Sequence, residues 1–369
     1  MRIAIVHDYL NQFGGAERVI SALHEIWPEA PIYTSIYDAS KMPAVFQRMD
    51  IHTSFMQKIP FVFRFFKYFL ILYPLAFESF DLSGYDVILS CSSAWAKGVK
   101  KQAGQLHICY CCTPMRFVWR YDDYVKRESF PRWIKSFLPF VLAPIKKWDI
   151  QTIGNVDRYV SISRVIQERI RGLYGRESDI IYPPVECDLF RPSKEDCDYF
   201  LVVSRLNSYK RIDIVVEAFN CLDIPLKIIG DGPDRKNLER LAHRNIEFLG
   251  RLSDAETARH LAACRALIFP GEEDFGIVPV EAMSAGRPVI AYRSGGAVET
   301  VREGVSGMFF TEQTAESLVQ TIKKFQFATF DKSKIRLEAE KFDKAIFKDK
   351  IKKFVEKTYE GKYSGVTPH

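Results

Sequence analysis

The sequence predicts an α/β protein made of two halves, each a parallel sheet with right-handed crossovers. Three observations lead there. Short apolar runs of strand length alternate with segments whose apolar residues recur at helical spacing. A stiff breaker, Tyr182-Pro183-Pro184-Val185, stands where neither helix nor strand can continue. The chain has 369 residues, 47% of them hydrophobic, which is enough for two cores.

In chain order, Arg2–Val6 reads as a first buried strand ended by His7-Asp8, and it is too short for a signal peptide. Gly14-Gly15 then opens a helix over Ala16–Ile26, and two missing side chains there let a phosphate or sugar approach the backbone. Strands follow at Val87–Ser90, His107–Cys111 and Tyr159–Ile162, with a helix at Arg164–Tyr174. Beyond the breaker come a strand at Tyr199–Val203, a helix at Arg211–Asn220, a strand at Leu226–Ile229, a helix at Arg235–Ala242 and a strand at Ile246–Phe248. Strands at Arg265–Phe269 and Val289–Tyr292 enclose a helix that begins near Val278 to Val280 and is closed by Gly286-Arg287-Pro288. The lysine-rich stretch Lys341–Tyr359 reads as a terminal helix. The expected division is 1–184, 185–340, and a terminal helix and tail over 341–369.

Pro270–Ile290 holds the densest chemistry. Glu273 falls in the strand-to-helix loop, Glu281 on the first turns of the helix, and the amides of Gly276, Ile277 and Val278 between them. A helix N-terminus binds phosphate, and carboxylates accept from sugar hydroxyls. Residue by residue, Glu272, Glu273 and Asp274 would pass for a solvated acidic loop; as a pattern they frame a phosphate between two sugars. Arg205 and Lys210 flank another loop at a strand's carboxyl end, where doubly wound sheets bind ligands and where two cations suit a diphosphate. Gly230-Asp231-Gly232-Pro233 and Ser294-Gly295-Gly296 read first as turn and packing glycines, and Arg211 as a neighbour of the site or a helix surface residue.

The spacing from Glu273 to Glu281 resembles the Glu-x7-Glu signature of the retaining family-four glycosyltransferases, and Arg205 with Lys210 resembles that family's Arg-x4-Lys pair. The resemblance runs from Gly14-Gly15 to about Gly307. It implies the GT-B arrangement: two Rossmann-like domains facing across a cleft, with the C-terminal helix packing back on the N-terminal domain. It implies as catalytic groups Glu273, which orients sugar hydroxyls, and Arg205 and Lys210, which stabilise a leaving diphosphate. Phe275, Gly276, Ile277 and Val278 become the donor loop, Glu281 the ribose contact, and Gly14 and Gly15 the loop facing the donor. Leu249-Gly250-Arg251-Leu252 resembles the nucleobase-contacting loop, through backbone around Arg251.

Cys112-Thr113-Pro114-Met115-Arg116 resembles the His-Thr-Pro-Met-Arg segment of a subgroup linked to mannosyl transfer in surface polysaccharide assembly. The histidine position holds Cys112, and a thiol is a weak donor, so the histidine's role does not carry over. Arg116 is the candidate contact for an acceptor phosphate. The implied function is retaining transfer of a hexose, mannose favoured, from a nucleotide-diphosphate sugar to a lipid-linked or glycan acceptor. The scheme uses front-face attack and needs no metal cofactor. Two alternatives stay open: a sugar-nucleotide epimerase of the same fold, and a catalytically silent nucleotide-sugar-binding partner.

A net charge of +6, with basic residues spread out, argues against nucleic acid as a partner. Eight cysteines suit reduced thiols in the cytoplasm. Cys109 and Cys112 form one CxxC without an answering pair, and strand alternation sends Cys112 to the face opposite Cys109 and Cys111, so no metal site is expected. His107 reads as a core or strand-end histidine. Ile59–Phe77 and Ser129–Ile150 mix aromatic with basic residues, and the first is interrupted by Pro60 and Pro74, marginal for a span. Such segments suit an interfacial surface on anionic lipid, with packing of two helices into the core as the competing reading. The expectation is a cytoplasmic protein, peripheral on the inner face of the cell membrane.

Overall fold

The structure is a computed structural model that describes residues 1–120 and 132–363. Its first sheet comprises β1 (Ile3–His7), β2 (Ile32–Thr34), β3 (Ile51–Thr53), β4 (Val87–Ser92), β5 (Leu106–Cys111), β6 (Arg158–Ser161) and β7 (Ser178–Ile180). Their order is β3-β2-β1-β4-β5-β6-β7, all parallel. Every residue of β1, β4 and β5 is buried, as strands covered by helices on both faces must be.

The second sheet comprises β8 (Phe200–Val203), β9 (Leu226–Ile229), β10 (Ile246–Gly250), β11 (Leu267–Phe269), β12 (Val289–Tyr292) and β13 (Gly307–Phe310). Its order is β10-β9-β8-β11-β12-β13, again parallel. Both sheets start at a central strand, grow outward, then cross back to the other side. Each therefore has a switch point, between β1 and β4 in one and between β8 and β11 in the other, where diverging loops leave a crevice beyond the strand ends.

The chain divides into two units, Met1–Pro184 with Phe347–His369, and Val185–Ile346. The long terminal helix starts at Lys344, later than the sequence suggested. Val185 intervenes: its amide donates to the Phe342 carbonyl at 3.2 Å and its carbonyl accepts from Lys344 at 2.9 Å. Asp343 then accepts from the Ala345 amide, as helix-initiating residues do. From Phe347 on, the helix belongs to the first unit. The Phe347 ring meets Tyr110 edge-on at 5.7 Å, and Lys348 pairs with Glu25 at 3.0 Å.

Of the aromatic-basic segments, the first both packs and protrudes. Val62, Phe63, Phe66, Phe69, Leu70, Tyr73, Ala76 and Phe77 enter the core of the first unit, while Phe61, Phe65, Tyr68, Ile71 and Leu75 stay exposed. The second forms the helix Arg132–Gln151, which sends Leu142, Ile145 and Trp148 into the same core; residues 129–131 lie outside the described residues. A buried ion pair anchors this helix: Lys97 lies 3.0 Å from Asp149, whose carboxylate also accepts from the Trp119 indole at 2.7 Å. Among the described residues, no helix is long and apolar enough to cross a membrane.

Gly98 passes so close to this helix that a Cβ there would lie 2.1 Å from Trp148. The Gly98→Ala variant should therefore lose about 1–3 kcal/mol, as overpacked cores do. Calorimetric unfolding is the check, and a melting profile equal to that of the parent would contradict this packing.

Candidate functional site

At the switch point of the second unit, β8 leads into Ser204–Arg211 and β11 into Pro270–Gly276. The two loops meet through Lys210, which is buried and donates to the Glu273 carboxylate. Arg211 holds them in register. Its left-handed backbone, φ +55°, is stabilised by bonds to Asp213 at 3.1 Å and Gln313 at 3.2 Å. Gln313 in turn donates to the Pro270 carbonyl at 2.9 Å. Arg211 is thus an anchor of the site, the choice the sequence had left open. Arg205 is exposed and has no ion-pair partner among the described residues, so its charge is available to a ligand.

The three acidic residues of the β11 loop are not equivalent. Glu272 accepts from the Ser294 hydroxyl at 3.0 Å, Glu273 meets Lys210, and Asp274 is buried. Gly276, at φ +85°, turns the chain into the helix Ile277–Ser284 without a side-chain cap. That leaves the first-turn amides at Ile277 and Val278 clear of any cap, and both residues are partly exposed. Glu281 sits a turn further on and is buried. The Phe275 ring points inward, edge-on to Phe342 at 5.5 Å, so its backbone is the part a ligand could meet.

Two glycine contacts set the shape of these loops. A Cβ on Gly296 would lie 2.3 Å from the Phe275 carbonyl oxygen, and one on Gly230 would lie 1.8 Å from that of Ser204. No other residue lets the backbones approach so closely. Arg251 is exposed just beyond β10, two strands away from β8 at the sheet's edge.

In the first unit, Gly14 leads into the helix Gly15–Ile26, also without a side-chain cap. Asp8, buried at the end of β1, accepts from the amides of Ser93, Ala94, Trp95 and Ala96 at 2.7–3.0 Å. In the sequence Asp8 marks only the end of a strand. An acidic residue at the end of a wholly buried strand is the available signal, since a buried carboxylate must find donors. Beside it, burial would push the His7 imidazole down, yet Glu17 at 3.5 Å, with Asp8 and the Cys91 carbonyl, raises it above its ordinary value. Arg116 opens the short helix Arg116–Trp119 and is half-buried, and Cys112 lies against Cys91, 3.6 Å between sulfurs. Among the described residues, no group of three or more His, Cys, Asp or Glu is placed to hold a metal ion.

Residues 190–327, most of the second unit, match the family described as glycosyl transferases group 1. Over that stretch the chain is similar to group 1 glycosyl transferases. An uncharacterized glycosyltransferase of Methanocaldococcus jannaschii is 31% identical over 173 residues, 46% of this chain and 49% of that protein, so the match spans about half of that relative. Alpha-1,3/1,6-mannosyltransferase ALG2 of Homo sapiens is 27% identical over 335 residues, 78% of this chain and 76% of that protein. The crystal structure of Anabaena HepE in complex with UDP superimposes with a TM-score of 0.73, at 18% identity, over 97% of this chain and 100% of that one. The two-sheet fold is that of GT-B glycosyltransferases.

Within the matched stretch lie Arg205, Lys210, Arg251, Glu273, Phe275, Gly276, Ile277, Val278 and Glu281; Gly14, Gly15 and Arg116 belong to the first unit. His107, in β5 next to the Arg116 segment, is spent on structure. It is fully buried, one ring nitrogen 2.8 Å from the Ser90 hydroxyl and the other 3.0 Å from the Asn155 carbonyl. A carbonyl can only accept, so Nδ1 carries the proton, and burial keeps the ring neutral, which leaves Nε2 to accept from the Ser90 hydroxyl. Burial pushes its pKa down to about 4 from 6.5.

The unfolded chain takes up a proton below pH 6.5 that the folded chain refuses until about pH 4, so stability should fall as pH drops across that window. The expected loss is about 3 kcal/mol, measured by denaturant titration at a series of pH values. His107→Gln, which cannot titrate, should flatten that limb.

Proposed function

We propose that this protein is a retaining glycosyltransferase that moves a hexose, mannose for preference, from a nucleotide-diphosphate sugar to a lipid-linked or glycan acceptor. The observation that carries the reading is the meeting of Lys210 and Glu273 beside an uncapped helix start, at the switch point of a unit similar to group 1 glycosyl transferases. Donor binding would exchange partners. Lys210 turns from Glu273 to the diphosphate, joined by exposed Arg205 and the Ile277 and Val278 amides, and Glu273 is freed to accept from a sugar hydroxyl. As the glycosidic bond breaks, negative charge grows on the leaving phosphate, and groups already in place stabilise it without reorganising. The leaving phosphate takes the acceptor's proton, and the sugar is delivered to the same face. Two side-chain cations serve the diphosphate here, so the reaction is expected to persist in EDTA. Mannose as the sugar is supported by the name of the human relative, a mannosyltransferase, and by the Thr-Pro-Met-Arg segment; guanine as the base is supported by that segment.

Radiolabelled GDP-mannose and UDP-glucose, each offered with a membrane lipid extract, separate the readings. Label in the lipid phase supports transfer; epimerised free nucleotide sugar supports an epimerase, and binding without turnover a silent partner. Arg205→Ala and Lys210→Ala should each cost on the order of 2–4 kcal/mol of transition-state stabilisation, roughly a hundredfold or more in kcat. Rates within a few-fold of the parent in both variants would remove the diphosphate from this site.

The same reading places the first unit on the cytoplasmic face of the cell membrane. Phe61 at 76%, Tyr68 at 71%, Ile71 at 62% and Phe140 at 78% relative exposure are large apolar groups left in solvent, and Arg64, Lys67, Lys146 and Lys147 are exposed between and beside them. Basic residues contribute about 1 kcal/mol each near an anionic surface, screened by salt. Flotation with phosphatidylserine vesicles should show binding that weakens as salt rises. Arg64→Glu with Lys67→Glu should weaken it further, and absence of binding at low salt would point to a soluble acceptor.

A further inference from the structure

Cys112, which stands where the resembling subgroup has histidine, has found a partner that its position in the sequence does not announce. Its sulfur lies 3.6 Å from that of Cys91. Cys91 is the fifth residue of β4 and buried; Cys112 is the first residue past β5 and partly exposed. The Cys112 amide donates to the Ser92 carbonyl at 2.9 Å, so both cysteines hang from backbone fixed in one sheet. Bonding would bring the two sulfurs from 3.6 Å to the roughly 2.05 Å of a disulfide.

Both neighbours of this pair matter to the proposed reaction. The Cys91 sulfur also reaches the Ala16 carbonyl, at 4.0 Å, in the first turn of the helix opened by Gly14-Gly15. Cys112 leads directly into Thr113-Pro114-Met115-Arg116. We propose that Cys91 and Cys112 form a reversible disulfide that ties the Thr113–Arg116 segment to the end of β4 and slows turnover. The bond itself stands on the geometry, whereas the effect on turnover rests on the transferase reading.

The chemistry is thiol–disulfide exchange with a small disulfide such as oxidised glutathione. Cys112, the accessible thiol, attacks as thiolate, expelling one glutathione thiolate and leaving a mixed disulfide. Cys91 then gives up its proton and displaces the second glutathione. Two protein thiols and one glutathione disulfide become one protein disulfide and two glutathione thiols. Cys91 is buried, so the accessible Cys112 reacts first and Cys91 is the second, resolving group, its thiol raised well above its ordinary range by the hydrogen bond to Cys112 and by burial.

The test uses the full chain with Cys197→Ser and Cys221→Ser, which removes the two exposed thiols. Equilibrated across glutathione ratios, it should yield a proteolytic peptide pair linked through positions 91 and 112, with no glutathione retained. In the oxidised form, amide exchange at Thr113, Met115 and Arg116 should slow, and turnover should drop on the order of tenfold or more, since misplaced positioning groups cost rate steeply. Dithiothreitol should reverse all three changes, and adding Cys91→Ala should abolish them. Failure to link the two cysteines at any ratio, or linkage that leaves exchange and turnover unaltered, overturns the proposal. Absence of transfer by the reduced protein would instead fail the transferase reading, because linkage and exchange are read without activity.

Discussion

The site in the second unit depends on backbone meeting backbone at the carboxyl ends of its strands. The Ser204–Leu206 turn lies against Gly230, and the Glu273–Phe275 turn lies against Gly295 and Gly296, at separations where any Cβ would collide with a carbonyl oxygen. Loops in such contact cannot move independently. Arg211, through Gln313 to the Pro270 carbonyl, joins these two pairs of loops and sets Lys210 against Glu273. Because the pairs of backbones come from four different strand-to-helix connections, the glycines fix an arrangement that no single loop could hold. The Gly296 amide adds a hydrogen bond to the Glu273 carbonyl at 2.8 Å, directly behind the side chain that meets Lys210.

The first unit reaches the same end by another route. Instead of glycines, one buried carboxylate gathers the chain. Asp8 satisfies four successive amides, Ser93 to Ala96, and so joins the end of β1 to the loop after β4 across the switch point. A carboxylate in that setting is secure because each of its lone pairs meets a donor that would otherwise be orphaned. The cost of burying it is offset locally, and the loop it organises runs straight into Lys97 and Gly98, which hold the helix Arg132–Gln151. The loops at both switch points are therefore supported by interactions within the protein itself.

How much of this was legible varies with length of signal. β4 and β5 showed as apolar runs because each has six residues, and β12 showed because its neighbours bracket it. β2, β3 and β7 are not legible, since their three residues each mix polar with apolar side chains, unlike the three of β11, Leu267–Phe269, which are all apolar. β13 begins at Gly307, which sequence reading treats as a break; that glycine is needed because a Cβ there would lie 2.1 Å from the Val289 carbonyl oxygen. The Ile59–Phe77 segment posed membrane surface against core, and the structure divides it residue by residue. Its period places one set of aromatics in the core and leaves another in solvent.

By itself, the sequence determined the α/β class, the places where helices alternate with strands, and the residues that could serve a phosphate and a sugar, because local periodicity and loop chemistry are written in neighbouring residues. Tertiary structure alone decided the partners. Lys210 meets Glu273 across 63 positions, Asp8 meets Ser93 across 85, and Cys91 meets Cys112 across 21. Such pairings follow from strand order, and strand order is set by which helices can cover which faces of a sheet. That is a property of the packed chain as a whole, so no window of sequence contains it.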